Sequence, residues 1–454
     1  MKKILLTLAA TAVLSSCGLY KNYERPADVV TDNLYRADAN TQDTLGLAAY
    51  SWRELFTDPQ LQQLIERGLQ QNTNLRSTML QIEQAEAALK VAKWAYIPSM
   101  AFTPQGTLSG RDWGKAMQSY TLPVSASWQF EQFGTLRNAK KRAQMQLLNS
   151  KAYQQAVHAQ LVAAIANYYY SLATLKTQLD ICYSTERLWA ENVKVTKALM
   201  AAGQSNMAGV AQTEANYYSV CTQISDLKQQ ISDLEDDFSA LLGEAPQKYE
   251  INTLDSWKRP AQLSAGVPAV ALSNRPDVKM AESQLAAAFY MTNQSRAAFY
   301  PGLSLTGTLG WSNSAGTMVL NPGKFIYSAV ASITQPLFQN GRIISQYKIS
   351  KSQQEQAKLT FQQKLLDAGA EVNAALTKIE TTNEKAGLYQ KQVAASQTAL
   401  TSTQELMKNS STNYLQVLTA QQVLLTAQMA EVSNKLSQIQ AVIELYQALG
   451  GGQD

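Results

Sequence analysis

Between Gly134 and Gly203 the chain runs for 68 residues without a glycine or a proline. As one helix, that stretch would be about 100 Å long. Leu161, Ile165, Tyr168, Leu172, Leu175, Leu179 and Cys182 recur at alternating spacings of four and three, the seam of a coiled coil. So long a helix with one narrow apolar seam cannot fill a compact core. It must lie lengthwise against helices like itself. A second seam of smaller residues runs through Val372, Ala375, Ile379, Tyr389 and Val393, and Gly369 and Gly387 are expected to weaken that helix locally.

The second stretch is a copy of the first. Residues 119–243 match 326–450 at an offset of 207: Gly134 pairs with Gly341, Leu199-Met200 with Leu406-Met407, Ser205-Asn206 with Thr412-Asn413. Upstream the offset is 203, pairing the prolines at 98 and 301. The change puts a four-residue insertion into the strand-to-strand loop of the second copy. Each copy reads as helix, strand, strand, long helix, helix. The predicted divisions are repeat 1 over 60–243, a linker rich in proline, tryptophan and charge over 244–262, repeat 2 over 263–450 and a tail over 451–454.

The strands are two-faced. Tyr120, Leu122, Val124, Ala126, Trp128 and Phe130 alternate with Ser119, Thr121, Pro123, Ser125, Ser127 and Gln129. The same alternation predicts strands over about 99–109, 119–132, 301–312 and 325–338, with Val330 interrupting the polar face of the last. Long period-two segments with aromatics near their ends and Ser, Thr and Gln on the other face are the pattern of an outer-membrane barrel. A half-buried soluble sheet alternates in the same way, but is usually built of shorter strands. Four strands cannot close a barrel, and lipid does not tolerate open edges. Two chains would give eight strands around a lumen filled by side chains, and three would give twelve around water. The polar inner faces favour three. The oily face then meets lipid, and the long helices continue the tube into the periplasm.

The N-terminus fits that location. A basic Met1-Lys2-Lys3 precedes a short apolar run, and Leu14-Ser15-Ser16-Cys17 follows. Residues 1–16 read as an export signal. The segment 17–59 reads as a lipidated N-terminal segment acylated on Cys17; a plain signal peptide with an incidental cysteine is the other reading. Gly18, rather than Asp, favours the outer membrane. No internal apolar run reaches the roughly 18 residues of a spanning helix. Losing Lys2 and Lys3 takes the formal charge from +4 to +2, which gives no argument for nucleic acid. Cys182 and Cys221 lie at unequal distances from the helix turn near 203–205, which favours two buried thiols over a bridge. His158 is the only histidine, so no second histidine is available for a metal site or a triad within one chain. The methionines are scattered and do not support a copper path. No Walker-type phosphate loop is present. The tyrosines 168–170 suit packing better than ligand stacking, and the basic run 138–144 has no assigned ligand.

Several stretches resemble one family in order along the chain: NYERP at 22–26, WRELFTDPQLQQLIERGLQQNTNLR at 52–76, NRPDVKMAESQLAAA at 274–288, YPGLSLTGTLG at 300–310, QPLFQNGR at 335–342 and ALGGG at 448–452. Together they are similar to the TolC-like outer-membrane efflux lipoproteins that serve resistance-nodulation-division pumps. The resemblance implies a mainly α chain with transmembrane β-strands. It implies a homotrimer with a 12-stranded β-barrel continued by a 12-helix periplasmic α-barrel, a periplasmic adaptor docked at the tunnel tip, and an inner-membrane pump supplying energy. No enzyme activity and no cofactor beyond the lipid on Cys17 are expected. The tip turns fall at Gly203, Gln204 and Ser205, and at Ser410, Ser411 and Thr412. YLQVLTAQ at 414–421 resembles the family's inner gate. Positions that carry inward carboxylates in many members fall here on Gln416, Thr419 and Gly209, all uncharged. Leu415 matches an apolar constriction in some members, or is helix-pair core. A neutral ring predicts weak cation selectivity. Other readings are a protein-secretion conduit of the same channel class and a lipid-anchored periplasmic coiled-coil scaffold without a pore.

Overall fold

The structure, a computed structural model, describes residues 21–29, 50–110, 112, 114, 116–131, 133–254, 257, 274–313, 323–408 and 414–451. Cys17, the signal segment, Ser410, Ser411, Thr412 and the four-residue insertion lie outside them. The helices are α1 (Trp52–Leu55), α2 (Pro59–Gln71), α3 (Thr73–Trp94), α4 (Thr135–Ala201), α5 (Met207–Leu242), α6 (Pro276–Ala297), α7 (Arg342–Lys408) and α8 (Tyr414–Ala448). The strands are β1 (Ser99–Phe102), β2 (Gln105–Ser109), β3 (Met117–Gln129), β4 (Gly302–Asn313) and β5 (Lys324–Thr334). The order α3-β1/β2-β3-α4-α5 recurs as α6-β4-β5-α7-α8. The corresponding long helices α4 and α7 have the same length, 67 residues. Helix α7 continues through Gly369 and Gly387 without a break.

Contacts divide the chain into two compact units. The first comprises Leu80–Ala152, Lys279–Gln363 and the described part of Met1–Val29; the second comprises the described parts of Val30–Met79, Tyr153–Val278 and Lys364–Asp454.

The first unit holds the sheet. Its order is β1-β3-β4-β5, antiparallel throughout, with β2 also on β3. The strand expected over about 99–109 is two strands, and the cause lies on its partner. Thr103 N–H donates to the Pro123 carbonyl at 3.2 Å, but Pro123 has no N–H to return the bond. The ladder lapses at Thr103 and Pro104 and resumes in the same register: Phe102 lies opposite Val124 and Gln105 opposite Thr121. The strand expected to reach 338 ends at Thr334, opposite Gly302, where β4 itself begins after Pro301. In this unit Arg25 forks onto Glu282 (2.9 and 2.5 Å) and lies over the Phe361 ring.

The second unit is built on helix packing. Leu161, Ile165, Leu172 and Cys182 of the α4 seam are buried, and so are Val162, Ala166, Tyr169 and Tyr170 beside it. The buried stripe is therefore wider than one seam, as packing on more than one side requires. A core of Cys182, Trp189, Val220, Ile224, Leu227, Leu418 and Leu425 joins α4, α5 and α8. Cys182 and Cys221 are free thiols, the first buried and the second half-buried.

The helix ends are closed by a repeated device. Gly243 and Gly450 end α5 and α8 in left-handed conformation (φ 76° and 80°), each letting a following N–H bond back into the last turn. In the first repeat the Asn72 side chain donates to the Leu241 carbonyl at 2.8 Å. At the corresponding position of the second repeat Arg275 donates to the Ala448 carbonyl at 2.7 Å. The arginine also holds Asp277 (2.9 Å) and Glu371 (2.6 Å). A buried polar group also anchors the start of α2. Asp58 caps Gln60 N–H at 2.9 Å and accepts from Tyr169 Oη at 2.7 Å and Asn252 Nδ2 at 3.0 Å.

Candidate functional site: a two-faced sheet and the helix-pair ends

Register turns the alternation of single strands into two continuous faces. Leu122 lies opposite Trp311 and Val124 opposite Leu309. Trp311 and Leu309 in turn lie opposite Phe325 and Tyr327. On β1, Met100 and Phe102 lie opposite Ala126 and Val124. Side chains at paired positions point the same way, so these residues form one apolar face. Met100, Phe102, Leu108, Leu122, Val124, Leu309, Trp311, Phe325, Tyr327 and Ile333 on it are all exposed. The other face carries Thr121, Ser125, Ser127, Ser304, Thr306, Thr308, Ser328 and Ser332, with Ser304 and Ser332 hydroxyls 2.8 Å apart. Apolar residues also occur on that face, among them Met117, Pro123, Ile326 and Val330.

Aromatic side chains collect at both ends of the apolar face. At the loop end Trp311 packs edge-on against Phe325, with ring centroids 5.7 Å apart. At the helix-joined end Trp128 lies against Phe130 (4.2 Å), and Phe133 stacks on Tyr300 (4.6 Å). Trp128 Nε1 donates to the Tyr96 carbonyl at 3.0 Å. Trp128 lies opposite Leu305, six residues before Trp311, which separates the two belts by about 20 Å. Paired aromatic belts flanking an apolar face are the arrangement of a membrane barrel. Among the described residues no helix is long and apolar enough to cross a membrane.

The second candidate region is the end of the helix pairs. In the turn between α4 and α5, Gly203 is left-handed (φ 72°), and Gln204 N–H bonds back to Leu199 O at 2.8 Å. Asn206 caps α5 by accepting from Gly209 N–H at 3.0 Å. Ser205 is part of the same turn: a Cβ at Gly209 would meet its Oγ at 3.0 Å. Thr196 and Thr213, both buried, face each other at 3.4 Å just behind it. Lys197 pairs with Glu214 at 2.7 Å on the surface. On α8, Val417, Leu418 and Gln421 are buried, whereas Leu415, Gln416 and Thr419 occupy the exposed face. Leu415 is therefore not helix-pair core in this chain, being 53% exposed. Gly209 sits in the first turn of α5, at the position that corresponds to Gln416.

Sequence patterns missed a polar bracket near these ends. Asn192 Nδ2 donates to Gln421 Oε1 at 2.6 Å, and the Asn192 carbonyl accepts from Tyr414 Oη at 3.2 Å. Burial pushes the Tyr414 phenol above its usual pKa. The bracket joins α4 to the start of α8. The Asn72, Arg275 and Asp58 contacts were missed in the same way. Asp58-Pro59 reads as a helix start, but nothing local points to Tyr169 or Asn252. Among the described residues no cluster of three or more His, Cys, Asp or Glu is gathered to hold a metal.

The profile of the family described as "Outer membrane efflux protein" matches the chain twice, over residues 64–244 and 267–451. The cation efflux system protein CusC of Escherichia coli O157:H7 is 27% identical over 458 residues, covering 99% of this chain and 98% of the relative. The probable efflux pump outer membrane protein TtgC of Pseudomonas putida is 27% identical over 472 residues, covering 100% and 96%. Among solved structures, CusC superposes with a TM-score of 0.82 at 26% identity over 96% of this chain and 100% of the other. The Neisseria gonorrhoeae MtrE channel, in its open state, superposes at 0.82 over 95% and 97%; its 24% identity supports the fold alone. The exposed apolar sheet face, the duplicated helices and this double match together assign the chain to the outer membrane efflux proteins, the outer-membrane channels of tripartite efflux systems.

Proposed function

We propose that three copies of the chain pool their strands into one 12-stranded barrel in the outer membrane and their helices into a 12-helix periplasmic tunnel. The observation that carries this is the single in-register apolar face, exposed on a sheet with two open edges. Each unpaired backbone group in hydrocarbon costs several kcal/mol, so the edges must meet other edges. The polar face then lines water. A scaffold without a pore has no use for such a sheet.

The assembled channel is a passive conduit for small molecules. A periplasmic adaptor docks at the turn Gly203-Gln204-Ser205 and at Ser410-Ser411-Thr412, and an inner-membrane pump drives export. The chain performs no catalytic step and needs no cofactor. Leu415, Gln416, Thr419 and Gly209 line the inner gate. Acylation of Cys17 anchors the N-terminus in the outer membrane, with the bulk of the chain in the periplasm. Relatives matched over nearly their full length are named for cation and for toluene efflux, so this architecture is not tied to one cargo class.

The test is accumulation of dyes, antibiotics and metal ions in a strain lacking the gene, with and without a plasmid copy. Higher accumulation of at least one class, reversed by the plasmid, is expected. Unchanged accumulation of all three, together with a protein that stays monomeric and soluble in detergent-free buffer, overturns the reading. Metabolic labelling with palmitate, lost in Cys17→Ala, tests the anchor.

A further inference from the structure

Backbone hydrogen bonds in an antiparallel ladder alternate sides along each strand, which fixes where the unpaired groups lie. Phe130 N–H donates to the Leu303 carbonyl at 3.1 Å, and Thr103 N–H to Pro123. Even residues of β3 therefore address β4, and odd residues address β1 and β2. On β1 and β2 the odd residues face β3. The even ones, among them Met100, Phe102, Gly106 and Leu108, turn their backbone groups to the open edge. Odd residues of β4 face β3, so its even residues face β5, where Ser304 pairs with Ser332 and Gly302 with Thr334. The odd residues of β5, from Phe325 to Ile333, thus point to the other open edge.

The chain already contains the joint that these two edges would make. By the duplication, β5 corresponds to β3 at an offset of 207, and β1/β2 corresponds to β4 at an offset of 203. The β3–β4 ladder is a template for a ladder between β5 and the β1/β2 of another copy. Carried across by those offsets, Leu122 opposite Trp311 becomes Ala329 opposite Leu108. Val124 opposite Leu309 becomes Ala331 opposite Gly106, and Trp128 opposite Leu305 becomes Gln335 opposite Phe102. The Phe130–Leu303 bond becomes Leu337 with Met100.

We propose that neighbouring copies join in this register: Leu108 opposite Ala329, Gly106 opposite Ala331, Phe102 opposite Gln335 and Met100 opposite Leu337. The proposal deepens, and rests on, the barrel reading above. Two features that played no part in the offsets agree with it. Outward N–H and C=O groups of one edge meet those of the other, and the apolar side chains of both strands fall on one face. A slip of two residues would keep both agreements, but the turn after β5 argues against it. Leu337 and Phe338 are 93% and 83% exposed, whereas their counterparts Phe130 and Glu131 are half-buried beside the start of β4. The proposed register brings Met100 of the next copy beside Leu337, as Leu303 lies beside Phe130. It also sets Pro104 opposite Ile333, so that one N–H is missing from this seam. The β1–β3 ladder within the chain carries the same kind of lapse, where Pro123 returns no bond to Thr103.

The test is disulfide trapping in membranes of cells producing the full chain. Leu108→Cys with Ala329→Cys, and Gly106→Cys with Ala331→Cys, should give a reductant-sensitive ladder ending at the trimer on mild oxidation. Leu108→Cys with Phe325→Cys and Leu108→Cys with Ile333→Cys, slipped by four residues in either direction, should give none, nor should Leu108→Cys alone. Amine-directed cross-linking of each variant reports whether it has assembled. A ladder from a slipped pair overturns the register while leaving the barrel intact. Assembled trimers with no ladder from either matched pair overturn it too. Absence of any oligomer, in the unmodified chain as well, overturns the barrel reading itself.

Discussion

Among the described residues three left-handed glycines, Gly203, Gly243 and Gly450, close helices, and their surroundings differ in a way that predicts different costs. A Cβ at Gly243 would meet Gln71 O at 2.9 Å, and one at Gly450 would meet Arg275 Cα at 3.0 Å. At Gly203 nothing lies within 4 Å. The left-handed conformation alone costs an alanine about 1–2 kcal/mol. Gly203→Ala should therefore lose about that much, and Gly243→Ala and Gly450→Ala more, read as chemical-unfolding midpoints by circular dichroism in detergent. The Arg275 cluster gives a second residue-scale expectation. The guanidinium is buried while Asp277 and Glu371 are partly in water. Arg275→Ala should cost roughly 2–3 kcal/mol, below the value for a fully buried pair. Burial works against ionisation of Asp277, but the guanidinium beside it holds its carboxyl below the usual carboxylate range. A carboxylate whose pKa falls on folding stabilises above its unfolded value, near 4, and loses that contribution as pH drops through the lower folded value. Asp277→Asn should therefore be less stable than the parent chain at pH 7, and the gap should close as pH is lowered below about 4. None of these contacts is legible in sequence. Asn72 and Arg275 perform one task in the two repeats with unlike side chains, so the duplication itself hides the correspondence.

Elements were more legible than contacts because each is set by local periodicity. The run free of glycine and proline from Gly134 to Gly203 contains α4, 67 residues long. The alternation in β3 was readable because one face had to be apolar over its whole length. What was not readable was the gap between β1 and β2, because its cause is a proline on another strand; a donor missing from Pro123 shows itself only once the register is known. The glycines of α7 do not interrupt it, for a reason that is likewise not local. Propensity counts against Gly369 and Gly387 singly, but packing along a 67-residue helix outweighs two weak positions. Gly387 retains the cost without a packing reason: it is exposed and has nothing within 4 Å of its would-be Cβ. Gly387→Ala should stabilise the chain by about 0.5–1 kcal/mol, seen as a raised unfolding midpoint. An unchanged or lowered midpoint would mean that the position is covered in the assembled protein.

At the scale of the assembled channel, the family was legible and the gate was not. Motif order identified the family, yet ion selectivity depends on which exposed side chains face the passage. Leu415, Gln416 and Thr419 share the exposed face of α8, opposite buried Val417, Leu418 and Gln421. Gly209 stands at the equivalent place on α5. None of the four is charged. If these positions line the narrowest part of the passage, the ring they form across three copies has no fixed field. A carboxylate ring at the same radius would act strongly, because unit charges a few ångströms from a permeating ion in a poorly hydrated constriction interact by several kcal/mol. Reconstituted in a planar bilayer under a salt gradient, the unmodified channel should show a reversal potential close to zero and weak block by multivalent cations. Thr419→Asp should move the potential toward that of a cation-selective pore and make block by trivalent cations tight, with both effects weakening as salt is raised. Strong cation selectivity in the unmodified channel would place its selectivity elsewhere. An unaltered potential in Thr419→Asp would remove Thr419 from the passage, and the α8 face would then be available for contact between helices of neighbouring copies.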